Sequence, residues 1–226
     1  MRPGTLLRWY ALKPIFKSEI KDDLIVLDIG SYDGSISSNL KKLFSNLKIT
    51  IVDMDKSGLQ LAKEKGLNTL YASATELPLE NSSVDVVLCL DLIEHVKEDD
   101  KVIKEISRVL KEGGKIILTT PMQNGVSFPF LSKQKIEAIN KSWGHVRKGY
   151  SLKNIEKLFK ENKLAIIKRD KYFNFLTRFA YRFSFLSGMS LKGKSLLYQI
   201  IVKLDPLTKY GSQEHIIIAK KVKLWK

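Results

Sequence analysis

A run of apolar residues from Leu24 ends in an acid, Asp28, and breaks at Gly30. It then passes through Ser31, Tyr32, Asp33 and Gly34 into a helical pattern reaching Leu40. Apolar strand, glycine turn and helix, in that order, is the unit from which open α/β sheets are built. Such sheets take their ligands at the carboxyl ends of the strands. The acids of this loop then select among ligands. A pyrophosphate would be repelled by Asp28 and Asp33, and the three-glycine spacing that dinucleotides require is absent. A ligand carrying ammonium and sulfonium groups would be attracted.

The following segments repeat the alternation. The spacing predicts strands over 24–29, 48–53, 67–72, 84–90 and 114–120, with helices over 34–45, 56–65 and 98–110 between them. Segments such as IVLDI and KIILTT are apolar on both faces, as in a parallel sheet covered by helices on each side. Asp53 ends the second strand, where a carboxylate can accept bonds from both hydroxyls of a ribose. Further helices are expected over 133–142 and 151–162, the second capped by Ser151. LAIIKRDKYF and EHIIIAKKV supply the last two strands.

With these residues in place, the chain resembles the class I S-adenosylmethionine-dependent methyltransferases, closest to the type 11/12 groups that include quinone-biosynthesis enzymes. The resemblance is close over 24–121 and looser through WGHVRKGYSLKNIEKLFKENKL. It implies a Rossmann-like, doubly wound seven-stranded sheet. That sheet would be mostly parallel with a late antiparallel strand, helices on both faces and a helical insertion between the last two strands. It also implies S-adenosylmethionine as cofactor, held by Asp28, Gly30, Ser31, Asp33 and Gly34 of the first loop, Asp53 and Met54 at the second strand, Ser73 and Ala74 before Leu77-Pro78, and Asp91. Tyr32 stands where the family's middle glycine is found, and Ser73 where an acid usually meets the adenine. Asp91, Glu94 and His95 match the family's D-x-x-E-H block, and His145 and Tyr150 lie in WGHVRKGYS, a run similar to the H-V-R-x-(Y/F)-S block of many small-molecule and glycan methyltransferases. His95 and His145 are therefore candidates to orient the acceptor or take its proton, since imidazole titrates near neutrality. Tyr150 is expected to line the acceptor pocket, and His215 to be structural. No Cys/His/Asp spacing announces a metal site, so none is expected.

A chain of 226 residues with 44% hydrophobic content suits one domain with a full core. The expected organisation is a helical lead-in over 1–22, a cofactor-binding core over 23–171, an aromatic and basic helical insertion over 172–208 and a final strand over 213–222. The single cysteine, Cys89, sits in the apolar strand VDVVLCL and reads as a small buried hydrophobe. No signal peptide or membrane span is visible, which gives a cytoplasmic expectation.

The net charge of +15 is the compositional anomaly. Lysines scattered over solvent faces would account for it; so would an anionic surface as partner. The insertion favours the second account. Seven of the chain's 21 aromatic residues fall within 172–185, and from Lys171 to Leu204 there are six basic residues and no acid. Phe175, Leu176, Phe179, Phe183 and Leu186 recur at helical spacing, with Arg178 and Arg182 expected on another face. Peripheral docking of 172–204 on the anionic inner membrane face, with a small-molecule, lipid-linked or amphipathic acceptor, is one expectation. A packed helical hairpin, a lid and a dimer face are others, and the oligomeric state is open. An RNA methyltransferase with a basic surface, and a non-catalytic cofactor-binding protein, are alternative functions. The (D/N)-P-P-(Y/F/W) block of amino-methylating nucleic-acid enzymes is missing after the fourth strand.

Overall fold

The computed structural model describes residues 3–124, 132–182, 191–208 and 213–223. Seven strands form one sheet: β1 (Ile25–Ile29), β2 (Lys48–Asp53), β3 (Asn68–Tyr71), β4 (Val84–Leu90), β5 (Leu110–Pro121), β6 (Leu164–Tyr172) and β7 (Glu214–Lys221). Their order is β3-β2-β1-β4-β5-β7-β6. The first five pair in parallel, and β7 inserts antiparallel between β5 and β6. The order reverses between β1 and β4, so the crevice at their carboxyl ends is the switch point at which such sheets take ligands.

Both faces of the sheet are buried because its strands alternate between two apolar sets. Val26, Leu88, Ile117, Ile216 and Ile218 face one core, into which α1 (Pro3–Glu19), α2 (Ser35–Leu43) and α3 (Lys56–Glu64) deliver Leu7, Phe16, Leu40 and Leu59. Leu27, Val87, Cys89, Ile217 and Ala219 face the other, closed by α4 (Asp99–Val109) and α6 (Leu152–Glu161) through Val102, Ile106, Ile155 and Phe159. Cys89 is fully buried, and burial holds its thiol well above the ordinary range. Ser151 caps α6 as expected, its side chain accepting from the Asn154 amide.

One boundary differs from expectation. The Gly113–Gly114 pair does not end a helix before a new strand; it is a bulge inside β5, where the pairing jumps from Val84↔Leu110 to Val86↔Lys115. A Cβ on Gly114 would lie 2.9 Å from the Lys111 carbonyl oxygen and 3.0 Å from that of Asp85. Only glycine lets the backbones approach this closely.

The insertion between the last strands contains α7 (Phe175–Arg182) and α8 (Leu191–Leu204), followed by a 3₁₀ turn over Asp205–Thr208. Both helices pack with α1 on the same side of the sheet; Ala180 and Tyr198 belong to that core. α7 sorts Phe175 and Phe179 from Arg178 as expected, and it is the aromatic face that turns outward. Phe175 and Phe179 are exposed and stacked on each other at 6.3 Å, whereas Arg178 is 2% exposed. Helical periodicity identified the faces but not which of them meets the protein. Phe183 and Leu186 lie outside the described residues.

Asp205 holds this region together. Its carboxylate accepts the Asn174 amide at 2.8 Å and the Thr177 amide at 2.9 Å, capping α7 from across the insertion. Removing it leaves two buried donors without a partner, each costing about 1–3 kcal/mol. Asp205→Ala is therefore expected to lower unfolding free energy by about 2–4 kcal/mol, with Asp205→Asn retaining part of it. Urea denaturation of the two variants checks this; an unchanged midpoint for Asp205→Ala would contradict the capping role.

Candidate active site

A cavity of about 1100 Å³ opens at the carboxyl ends of β1, β2 and β4. At one end it is lined by Asp28, Gly30, Ser31, Tyr32, Asp33, Asp53 and Asp55, and at the other by Asp91, Glu94, His95, Asn140, Trp143, His145 and Lys148. Its distribution of polar groups sets it apart. Among the described residues, five buried side-chain polar atoms have no hydrogen-bond partner: Asp28 Oδ1, Ser31 Oγ, Glu94 Oε1, His145 Nδ1 and Glu214 Oε2. All five belong to residues lining this cavity. Buried polar groups are ordinarily paired, so their concentration here marks a surface built to meet a ligand.

The first loop is shaped by backbone conformation. Gly30, Tyr32 and Gly34 have φ of 72°, 54° and 61°. Tyr32 thus adopts the conformation that glycine takes most cheaply, at a cost of roughly 1–2 kcal/mol. Its amide donates to Asp53 Oδ2 at 2.8 Å, and its ring covers Gly58, where a Cβ would come within 2.6 Å. Asp53 Oδ1 accepts the Asp55 amide at 2.9 Å. Each carboxylate oxygen therefore already holds one backbone amide and keeps lone-pair capacity toward the cavity.

Asp33 is held in place by α3 and α2. It pairs with Lys65 Nζ at 2.7 Å and accepts the Ser35 hydroxyl at 2.6 Å, and these partners hold its carboxyl below the usual range despite partial burial. A Cβ at Gly30 would meet Leu92 Cδ1 at 2.6 Å. A side chain at Gly30 is therefore refused by Leu92 and by the left-handed backbone before it could reach a ligand.

Asp28 is fully buried, with Oδ2 accepting the Ser37 hydroxyl at 2.7 Å. Burial, only partly offset by that bond, raises its pKa to about 7.

The other end of the cavity is built on the segment after β4. Asp91, at φ 51°, accepts Thr119 Oγ1 at 2.5 Å and forms an ion pair with Arg8 of α1. Arg8 Nε also donates to the Tyr172 hydroxyl at 3.3 Å. Glu94 and Glu214 are buried beside this pair. Burial and the Asp91 charge push both carboxyls upward, against the pull of Arg8. Glu94 Oε2 accepts Thr120 Oγ1 at 3.0 Å.

His95 and His145 meet edge to face with centroids 4.6 Å apart. Burial, then His95, lowers the His145 pKa. The His145 loop is fastened to the Glu94 segment. The Val146 amide donates to the Glu94 carbonyl at 3.0 Å, and Arg147 reaches the Ile93 and Lys97 carbonyls while pairing with Asp99.

Sequence and structure can now be compared residue by residue. The structure brings Asp28, Gly30, Ser31, Asp33, Asp53, Asp91, His95 and His145 to one cavity, with Gly34 at the N-terminus of α2 just behind it. Met54, Ser73 and Ala74 are not among its lining residues. Met54 is 62% exposed, the Ser73 hydroxyl is engaged with Thr75 at 2.7 Å, and Ala74 packs against the core.

Tyr150 does not line this cavity either. It is buried, with its hydroxyl on the Ile93 carbonyl and Asp99 and against Arg147, so it fastens the His145 loop. His215 is buried, its Nε2 3.1 Å from the Tyr150 carbonyl oxygen, as a structural residue would be. Arg8, Arg178 and Glu214 line the cavity without having been anticipated. Each comes from an element outside the strand–loop–helix repeat, so no motif pointed to it. The spacing of Cys, His and Asp announced no metal site, and one proximity of such groups among the described residues arises only in the fold. Glu94, His95 and His145 offer ligand atoms within 4.8 Å of one another, a proximity created by the fold across 50 residues.

Residues 27–118 match the family described as "Methyltransferase domain". This segment carries the sequence pattern of that family. Over 105 residues the chain is 36% identical to a ubiquinone biosynthesis O-methyltransferase from Colwellia psychrerythraea, covering 43% of this chain and 42% of that protein. A sarcosine/dimethylglycine N-methyltransferase from Aphanothece halophytica is 35% identical over 127 residues, covering 50% of this chain and 46% of that one. The chain thus aligns with less than half the length of each of these relatives.

The fold extends further than the sequence match. A putative sarcosine dimethylglycine methyltransferase structure from Galdieria sulphuraria superposes over 96% of this chain and 85% of its own, with a TM-score of 0.68 at 18% identity. Phosphoethanolamine N-methyltransferase 2 of Haemonchus contortus, in complex with S-adenosyl-L-methionine, covers 94% of this chain and 52% of its own, with a TM-score of 0.66 at 23% identity.

The raised pKa of Asp28 has a consequence for the chain's stability. Between about pH 4 and pH 7 the native state keeps a proton that the unfolded chain releases, so stability attributable to Asp28 falls as pH rises through this window. Asp28→Asn, which stays neutral, should gain on the wild type by up to about 4 kcal/mol from pH 4 to pH 8, at roughly 1.4 kcal/mol per unit. Chemical denaturation across pH reads the difference. A constant difference would place the Asp28 carboxyl at its ordinary value.

Proposed function

We propose that this chain transfers the methyl group of S-adenosylmethionine to a small acceptor. The cofactor would occupy the Asp28–Gly30–Asp53 end of the cavity and the acceptor the Asp91–His95–His145 end. The observation that carries the reading is the continuity of one cavity between a strand-end carboxylate suited to a ribose and a pair of imidazoles beside buried acids. Asp28 Oδ1, buried and unpartnered, supplies negative charge for the cofactor's ammonium or sulfonium. Methyl transfer is an in-line displacement at a sulfonium carbon, so positioning supplies much of the acceleration. An acceptor hydroxyl or amine would lose its proton to a nearby base, for which His95 and His145 are the candidates.

The cofactor end is tested by calorimetry with S-adenosylmethionine and S-adenosylhomocysteine. Because a cationic ligand favours ionised Asp28, binding of the sulfonium at pH 6.5 should release protons, read as a dependence of the enthalpy on the buffer. Asp53→Ala should weaken binding by about 2–4 kcal/mol, part of it through release of the Tyr32 amide. Near wild-type affinity in folded Asp53→Ala would overturn the cofactor assignment.

A lipid-linked or amphipathic acceptor, reached by peripheral docking, is the finer reading we favour. Leu196, Ile200 and Leu204 recur along α8 at 62%, 46% and 45% exposure, followed by Leu207 at 75%, with Phe175 and Phe179 exposed on α7. The stretch 171–204 carries six basic residues and no acid, so the α7 and α8 part of this stripe suits an anionic lipid surface. No helix of the described residues is long and apolar enough to cross a membrane. Leu196→Ser with Ile200→Ser should reduce co-sedimentation with anionic vesicles while cofactor affinity is kept, and salt should weaken wild-type binding. If the wild type ignores such vesicles at low salt, the stripe is a lid or a protein contact.

A further inference from the structure

We propose that Glu94, His95 and His145 form a binding site for a divalent transition-metal ion, which presents an acceptor oxygen to the methyl donor. The inference rests on the reading of the cavity as a methyl-transfer site, but its observations are separate. Two imidazoles and one carboxylate converge, with their ligand atoms within 4.8 Å of one another. Two of those groups are buried without a partner: Glu94 Oε1, on a residue that is 0% exposed, and His145 Nδ1. Glu94 Oε1 and His95 Nε2 are 4.0 Å apart. A tetrahedral ion with bonds of about 2.0–2.2 Å holds its ligands about 3.3–3.6 Å apart. Side-chain adjustments of about an ångström would therefore close the set.

The surroundings resemble those that hold metal ligands in place. Glu94 Oε2 accepts the Thr120 hydroxyl, which leaves Oε1 directed toward the imidazoles. The His145 loop is tied to the Glu94 segment by the Val146 amide and by Arg147, so the two halves of the site are fastened together without an ion. Outer partners that orient ligands in this way are a regular part of metal sites. Two imidazoles with one carboxylate favour zinc, iron or cobalt over magnesium, which prefers an all-oxygen set. Three protein ligands leave positions open for the acceptor.

With both imidazoles engaged as ligands rather than as bases, the ion itself would stabilise the acceptor as an oxyanion, its proton passing to solvent. The oxyanion's electron pair forms the bond to the methyl carbon as the carbon–sulfur bond breaks, and the sulfonium becomes a thioether. No net redox change occurs.

The test is metal binding to the whole chain after chelator treatment. Titration with Zn²⁺ and Co²⁺ should show one tight equivalent, and the Co²⁺ form should show visible bands of a nitrogen-containing coordination sphere. Glu94→Gln and His145→Ala should each weaken binding by at least the roughly 10–100-fold that loss of an outer partner costs. Thr120→Ala should fall within that range. Asp53→Ala, at the cofactor end, should leave metal affinity unchanged. Acetohydroxamate, a small oxygen donor, should alter the Co²⁺ spectrum by entering the open positions.

Absence of a tight equivalent, or binding indifferent to both ligand variants, overturns the site. An unaltered spectrum with acetohydroxamate overturns its role toward the acceptor. S-adenosylhomocysteine binding by the same variants reports their folding. Loss of metal binding with cofactor binding intact would sink this inference alone, whereas loss of cofactor binding in the wild type would sink the functional reading on which it rests.

Discussion

The end of the cavity that holds Asp91, Glu94 and Glu214 depends on one guanidinium. Arg8 pairs with Asp91 within reach of the buried carboxyls of Glu94 and Glu214, and lends a bond to the Tyr172 hydroxyl. Three acids in a poorly hydrated space cannot all ionise without a counter-charge, and here both glutamates are pushed toward their neutral forms while Asp91 takes the ion pair. Breaking such a pair from one side leaves an uncompensated charge, which typically costs 3–5 kcal/mol. The arrangement allots distinct duties to chemically similar residues. Asp91 anchors α1 over the sheet, and Glu94 keeps one oxygen in reserve.

That anchoring explains why α1 belongs to the site. A short helix before the first strand reads as a lead-in, yet it brings Gly4, Thr5 and Arg8 to the cavity and buries Leu7, Leu12 and Phe16 beneath it. The insertion performs a similar service from the far end of the chain. Asp205 caps α7, and α7 carries Arg178 into the cavity lining while turning Phe175 and Phe179 outward. Two segments outside the repeating strand–helix pattern thus complete an enclosure that the sheet alone leaves open.

What could be read in the sequence followed from what is local. Short apolar runs, helical periodicity and glycine turns marked the strands, helices and switch-point loop, because those signals act between residues a few positions apart. The carboxylates of Asp28 and Asp53 were legible for the same reason: each sits at the tip of its own strand. The convergence of Glu94, His95 and His145 was not, since it depends on how the loop after α5 (Lys133–Ser142) folds back onto the segment following β4. Tyr150 shows the limit of motif transfer. Its position in a recognisable block was correct, but its hydroxyl serves Asp99 and Ile93, so it shapes the site from behind. Ser73 is a related case, its hydroxyl being engaged with Thr75 within its own turn.

The central claim is that the two ends of this cavity act on each other through a methyl group. Incubating the protein with cell extract and S-adenosylmethionine carrying an isotope-labelled methyl group, then separating polar, lipid and RNA fractions, tests it most directly. The account predicts enzyme-dependent label in a small-molecule or lipid fraction, matched by an equal amount of S-adenosylhomocysteine. Cofactor binding with no label transferred, or label confined to RNA, would contradict it.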